Sequence, residues 1–119
     1  MPGKEKLLYL SFDDGPDPVI TSFVLDELAR YGARATFFCI GKNVLQYPEI
    51  YNRILSEGHA VGNHSYSHLN GWNTEDAVYL ADIKRAAHTV LAIINLQPSP
   101  RGYFGRGIFG LLNILYELF

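Results

Sequence analysis

The sequence is poor in the features that mark disulfide-bonded, membrane-spanning and nucleic-acid-binding proteins. Cys39 is the only cysteine among 119 residues, so no disulfide can form within the chain. No apolar stretch reaches the roughly 20 residues that a membrane-spanning helix needs. The 10 basic and 12 acidic residues leave a net charge of -2, which argues against a phosphate-binding surface or an electrostatic membrane anchor.

The first residues, Met1 to Lys6, also lack the apolar core of a secretory signal. As written, the sequence therefore predicts a protein that stays in the cytoplasm, unless an export signal has been lost. Its length and its 48% of apolar residues suit one domain with its own core. Within the apolar run Ala35–Ile40, Cys39 is expected to be a small buried hydrophobe; the alternatives are a reactive thiol and a metal ligand.

Three apolar runs predict three strands. Leu7–Leu10 reads as a buried strand that ends at two aspartates, Ala35–Ile40 is rich in aromatic and β-branched residues, and His59–Gly62 is a short third strand. Gly41 is expected to break the second strand.

Helical patterns follow each of these runs. The first helix is predicted to begin with Thr21 as its cap and to end at Gly32. The second has Pro48 in its first turn and stops at Gly58, and the third begins at Thr74. The apolar positions of the third helix repeat with a period near 3.6: Ala77, Leu80, Ile83, Ala87, Val90, Leu91 and Ile94.

This alternation predicts an α/β fold of parallel strands joined by helices. In such folds the chemistry lies at the carboxyl ends of the strands. Asp13 and Asp14 follow the first strand, and Asn63 and His64 follow the third. We therefore expect the two groups at the same edge of the sheet.

These residues suit a divalent metal site. His64 and His68 are four residues apart, which predicts two imidazoles on one face of a helical turn. One carboxylate and two imidazoles form a facial ligand set with open positions. The second aspartate is then free to serve as a base for an attacking water.

Each half of this pattern also has a purely structural interpretation. Asp-Asp-Gly-Pro is typical of loops, and a pair of histidines is often a pair of surface or core residues. We assign His59, at the start of a strand, and His88, on the polar side of the third helix, to such structural roles.

The combined pattern resembles the polysaccharide deacetylase family, the NodB-homology domain of carbohydrate esterases. Its first motif corresponds to Ser11–Pro16 and its second to His64–His68, while Ala35–Phe38 and Gly62–His64 also look like family sequence. A third motif corresponds to Arg101–Gly105. The resemblance runs from about residue 7 to residue 105 and implies a partial (β/α) barrel.

The resemblance also implies roles. Asp13 would be the general base, and Asp14, His64 and His68 would hold a metal, usually zinc. Arg101 would pair with Asp13 and keep it ionised. The backbone N–H of Phe104 would stabilise the oxyanion, although Tyr103 stands where the family usually has proline. The family hydrolyses N-acetyl or O-acetyl groups of peptidoglycan, chitin-like polymers or related glycans, and its members are often exported.

Two features depart from a complete family domain. A βα barrel usually takes about 200 residues or more, so 1–119 is expected to be a single domain that lacks the C-terminal part of the family domain. The family's later motifs supply a tryptophan-bearing wall and a histidine acid, but no histidine follows His88 and the only tryptophan is Trp72. The apolar segment 108–119 is expected to associate with a second copy or another chain.

Three functions remain open at this point. The first is a metal-dependent glycan deacetylase, active or impaired. The second is a metal- and glycan-binding remnant of the same fold, and the third is a hydrolase of another amide. Acetate release from acetylated sugars distinguishes the first from the others.

Overall fold

A computed structural model describes residues 5–96 of the chain. Strands and helices alternate along these residues as the sequence predicts. The elements are β1 (Ser11–Asp13), α1 (Ile20–Arg30), β2 (Thr36–Cys39), α2 (Gly41–Gln46), α3 (Pro48–Ser56), β3 (Ala60–Asn63) and α4 (Asp76–Leu96). No helix in this part of the chain is both long enough and apolar enough to cross a membrane.

The three strands form one parallel sheet in the order β1-β2-β3. Asp13 at the end of β1 pairs in register with Phe38, and Phe38 pairs with Gly62 on β3. The carboxyl ends of all three strands therefore lie at one edge of the sheet. The predicted α/β class, with parallel strands flanked by helices, is confirmed.

The position of the first strand was predicted too early. Ser11 is the first residue of β1, and it pairs with Thr36, the first residue of β2. Residues 7–9 lie upstream of this register and have no partner on β2. Leu7, Leu8 and Tyr9 are accordingly exposed, and the prediction of a buried strand over Leu7–Leu10 is wrong.

The start of α1 also differs from the prediction, because the helix begins at Ile20, Thr21 lies within it, and the side chain of Asp17 binds the N–H groups at its start. The Asp17 carboxylate accepts hydrogen bonds from the backbone N–H groups of Val19 and Ile20, at 2.8 and 2.7 Å. The Thr21 hydroxyl is buried and accepts a hydrogen bond from the Asp17 N–H at 2.8 Å. The predicted end is confirmed, since Gly32 has a φ of 60° just beyond the helix.

Two short helices separate β2 from β3. Gly41 ends the strand region as predicted but also begins α2, whose six residues are too few to show a helical period in the sequence. Pro48 occupies the first turn of α3, and Gly58, with a φ of 83°, follows its end, both as predicted.

The core lies between the sheet and the helices. Its buried members come from five of the elements and their connections: Leu25, Leu28, Ala35, Phe37, Cys39, Val44, Ile50, Tyr51, Ile54 and Ile93. Burial raises the pKa of the Cys39 thiol to about 12. Cys39 is therefore a buried hydrophobe, as expected.

The third predicted helix corresponds to α4, which starts at Asp76 and not at Thr74. Its inward face includes Ala87, as predicted, but Ala77 and Leu80 in the first turns are exposed. The contact with α2 explains this difference, because Gly41 meets α4 at Ala86, more than two turns into the helix.

Candidate metal centre

Three side chains that the sequence marked as metal ligands converge at the carboxyl edge of the sheet. The Nε2 atom of His64 lies 3.0 Å from Oδ1 of Asp14, and the Nε2 atom of His68 lies 3.2 Å from the same oxygen. Donor atoms of all three residues lie within 4.8 Å of one another. The centre is half-exposed, so a substrate can reach it.

Asp14 is held in place by the turn that follows β1. Its φ of 70° lies in the left-handed region and turns the chain sharply at the sheet edge. Its carbonyl accepts a hydrogen bond from the carboxamide of Asn43 on α2, at 2.8 Å. The next carbonyl, of Gly15, accepts one from the Ile40 N–H at 2.8 Å. The turn is thus fastened to the end of β2 and the start of α2.

His64 is placed by the sheet itself. It follows β3 directly, and its backbone N–H donates to the carbonyl of Cys39 on β2, at 3.1 Å. This bond extends the β2–β3 ladder by one residue. The position of the His64 backbone is therefore fixed by strand register.

His68 reaches the centre through a loop, and the predicted helical turn at His64–His68 is wrong. Ser65 and His68 both have positive φ values, 62° and 55°, which an α-helix cannot accommodate. Instead, the side chain of Asn63 accepts the Ser65 N–H at 2.8 Å, and the Ser65 hydroxyl accepts the His68 N–H at 3.1 Å. These short-range bonds fold the five residues tightly enough to bring the two imidazoles together.

Asp82 on α4 holds this loop through two hydrogen bonds, and the sequence motifs do not predict this role. Its Oδ2 accepts the backbone N–H groups of Tyr66 and Ser67, each at 2.8 Å. Its burial would raise the pKa of the carboxyl, but the hydrogen bonds from Ser67 and Tyr66 and the charge of Arg85 outweigh it and lower the pKa. The sequence signal for this role was an acidic residue among the inward-facing positions of α4.

Further contacts join the histidine loop to α2 and α4. The N–H groups of Gly41 and Lys42 donate to the carbonyls of Ser65 and Tyr66, at 2.9 and 3.1 Å. The Arg85 guanidinium lies 3.7 Å from the centre of the buried Tyr66 ring. A rigid frame therefore surrounds the half-exposed ligands.

Comparison with known proteins agrees with this geometry, since residues 1–104 match the polysaccharide deacetylase family. The chain belongs to the polysaccharide deacetylase family. A peptidoglycan-N-acetylglucosamine deacetylase of Bacillus cereus is 46% identical over 83 residues, which are 70% of this chain and 39% of that protein. A chitooligosaccharide deacetylase of a Bradyrhizobium species is 49% identical over 83 residues, 70% of this chain and 38% of that protein.

Solved structures of polysaccharide deacetylases and esterases share the fold. The peptidoglycan deacetylase PdaC from Bacillus subtilis superimposes with a TM-score of 0.70 at 40% identity, covering 76% of this chain and 45% of that one. An acetyl xylan esterase from Clostridium thermocellum, in complex with a cobalt ion, gives 0.69 at 35% identity, covering 78% and 46%. The chain spans less than half the length of these relatives.

The donor set of this deacetylase-family chain fits a divalent transition metal. Two imidazole nitrogens and one carboxylate oxygen suit zinc, cobalt or iron(II) better than magnesium or calcium, which prefer oxygen ligands. Their convergence on one point meets the geometric requirement for a three-ligand site.

The structure describes some of the other residues that the sequence singled out and not others. Asp13 is exposed at the end of β1, next to Asp14. Arg101, Tyr103 and Phe104 lie outside the described residues, so their roles stay predictions. His59 is buried and accepts the Ala35 N–H at its Nδ1 atom, 3.3 Å away, which confirms a structural role. His88 is exposed on α4, as predicted.

Proposed function

We propose that this chain is a metal-dependent hydrolase that removes acetyl groups from N-acetylated or O-acetylated sugars of a polysaccharide. Peptidoglycan and chitin-like glycans are the proposed substrates, and the reaction on an N-acetyl group breaks a carbon–nitrogen bond outside a peptide. The convergence of Asp14, His64 and His68 carries the proposal, and Asp13 precedes Asp14 in the chain. Peptidoglycan and chitooligosaccharide deacetylases among its relatives support it.

Asp14, His64 and His68 would hold the ion, for which we propose zinc. When bound, the ion polarises an acetyl carbonyl and lowers the pKa of a water molecule. Asp14 and His68 are exposed and His64 is half-exposed, so an acetylated sugar can reach the three residues.

Asp13 would act as the general base. Asp13 is the last residue of β1, immediately before the proposed ligand Asp14, and its exposure leaves it accessible to water. A carboxylate in this position can take a proton from the attacking water, and a positioned base contributes typically about 10²–10⁴ in rate. We further propose that Arg101 keeps Asp13 ionised, and that the backbone N–H of Phe104, beside Tyr103, donates to the developing oxyanion.

The test is acetate release from N-acetylglucosamine oligomers by the 119-residue chain. The reaction is run with zinc, with a chelator, and with two variants, Asp13→Asn and Asp76→Asn. Asp76 is an exposed aspartate in the first turn of α4, so its replacement controls for the loss of one negative charge. Circular dichroism and a zinc assay confirm that each protein is folded and loaded.

We expect zinc-dependent release that Asp13→Asn abolishes and Asp76→Asn preserves. No release from the folded, zinc-loaded chain would overturn the proposal and leave the glycan-binding remnant. Release that the chelator does not affect would also overturn it, because the three converging ligands would then have no part in the reaction.

A further inference from the structure

Trp72 is the most exposed large apolar side chain in the described part of the molecule. It is the only tryptophan of the chain and 98% of it is exposed. Tryptophan is usually mostly buried because of its large apolar area. Complete exposure of this one ring therefore calls for an explanation.

The backbone around Trp72 is ordered by a compact set of hydrogen bonds. The Trp72 N–H donates to the side-chain oxygen of Asn70 at 3.0 Å, and the Asn73 N–H donates to the Asn70 carbonyl at 3.1 Å. The Thr74 hydroxyl donates to the same carbonyl at 2.7 Å. The indole is thus presented to solvent from a defined turn.

This turn belongs to the same loop as the metal centre. Trp72 follows the ligand His68 by four residues, and four residues of chain span at most about 14 Å. A sugar chain of a few units, with one unit at the metal ligands, can therefore reach the indole.

We propose that Trp72 is a stacking platform for a neighbouring sugar ring of the glycan substrate. This inference rests on the proposed function and adds a binding position to it. The electron-rich face of an indole is attracted to the partly positive C–H groups on a pyranose face, as it is to other positive edges. The exposed neighbours Asn70 and Asn73 carry neutral carboxamides, which suit the hydroxyl and acetamido groups of an uncharged sugar.

A protein partner fits the same surface less well. Stable protein interfaces bury about 800 Å² on each side around an apolar centre. Trp72 stands among exposed polar or small loop residues, Asn70, Gly71 and Asn73. Apart from the Tyr79 ring, which lies close to Gly71, the neighbours of Trp72 are polar or small, and so small an aromatic surface suits one sugar unit.

The experiment uses the fluorescence of the chain, which reports on Trp72 alone when tyrosine is not excited. Zinc-loaded and chelated protein, and the Asp13→Asn variant, are titrated with N-acetylglucosamine oligomers and with the monosaccharide. We expect a saturable blue shift or change in intensity with the oligomers in the zinc-loaded protein and in Asp13→Asn, and no saturation with the monosaccharide over the same range.

Variants then distinguish the loss of the indole ring from a general effect on the fold. Trp72→Ala is expected to weaken oligomer binding about tenfold, measured by calorimetry, and to raise KM with little change in kcat. Trp72→Phe should restore part of the affinity. Tyr31→Ala removes an exposed aromatic ring just after α1, at the opposite edge of the sheet, and should change neither quantity.

The outcomes distinguish this inference from the proposed function. Acetate release that saturates without any change in Trp72 emission, or equal KM in Trp72→Ala, would overturn the platform and leave the deacetylase intact. A saturable emission change without acetate release would support the platform and refute the catalytic proposal. If the folded protein showed neither an emission change nor acetate release, both proposals would be overturned.

Discussion

The carboxylate of Asp82 on α4 accepts a hydrogen bond from the backbone N–H of Tyr66, midway in the chain between the two histidines of the candidate metal centre. The histidine loop thus depends on a residue fourteen positions beyond its last ligand. An ionised acceptor makes stronger hydrogen bonds than a neutral one. The position of His68 is therefore set by α4 as well as by the loop.

Replacing Asp82 should loosen the loop. Asp82→Ala removes the acceptor of one buried and one half-buried N–H bond, which we expect to cost about 1.5–3 kcal/mol in the free energy of unfolding. Zinc affinity should fall about 10–100-fold, as for other residues that orient metal ligands. Urea unfolding and zinc titration measure the two effects. Thr89→Ala, elsewhere on α4, is the control; unchanged zinc affinity in Asp82→Ala would show that the loop does not need this acceptor.

Variants of Asp13 and His68 should distinguish the proposed general base from a proposed metal ligand. Asp13→Asn is expected to keep zinc and lose turnover, because Asp13 is not among the converging donor atoms. His68→Ala removes one of three ligands and should weaken zinc binding by more than about 100-fold, beyond the loss caused by outer residues. Zinc content after dialysis measures both. Equal zinc loss in the two variants would contradict this division of roles.

His59 should make stability depend on pH. Burial lowers its pKa most strongly, and the charges of Arg34 and Arg53 add to this effect against that of Glu57. The unfolded state then binds the proton first, near pH 6.5, while the folded state binds it only at lower pH. Stability should therefore fall as the pH drops below about 6.5, until the folded pKa is passed.

The comparison of two variants isolates this effect. His59→Asn keeps an acceptor for the Ala35 N–H and should flatten the stability profile below about pH 6.5. Thr89→Ala changes a residue of α4 that cannot titrate in this range and should leave the slope of the wild type. Urea unfolding at a series of pH values gives both slopes. If stability of His59→Asn depended on pH as steeply as that of the wild type, His59 would not be the cause of the pH dependence.

Cys39 should be inert in the folded protein. Its thiol is buried, and its pKa of about 12 leaves almost no thiolate at neutral pH. A thiol reagent is expected to label it only after unfolding, in a time course followed with and without urea. Cys39→Ala should keep its zinc affinity; a clear loss would revive the alternative that Cys39 is a ligand.

The sheet edge was predictable from sequence because the alternation of strands and helices indicates parallel strands, whose carboxyl ends share one edge. Asp14 and His64 directly follow strands, so a rule about strand ends was enough to bring them together. The position of His68 was predicted correctly but for the wrong reason, since a spacing of four suggests a helix and does not reveal two positive φ values. Asp82 was missed because its partners are backbone groups sixteen and fifteen residues away, which leave no periodic trace.

The early placement of β1 has a similar origin. Leu7–Leu10 is as apolar as a strand, but a strand also needs a neighbour, and the start of β2 at Thr36 is not encoded in residues 7–10. Asp17 was overlooked at the start of α1 because Thr21 is also a capping residue by type. In both cases a non-local contact decided between two locally acceptable choices.

The left-handed backbone at Asp14 and His68 has a consequence for how such chains diverge. This conformation costs most residues about 1–2 kcal/mol, and glycine adopts it freely. Backbone preference alone favours glycine at both positions, so the proposed metal binding is what an aspartate and a histidine would contribute there in return. A descendant that has abandoned the metal should be recognisable by glycine or asparagine at positions 14 and 68, before any other part of its fold has changed.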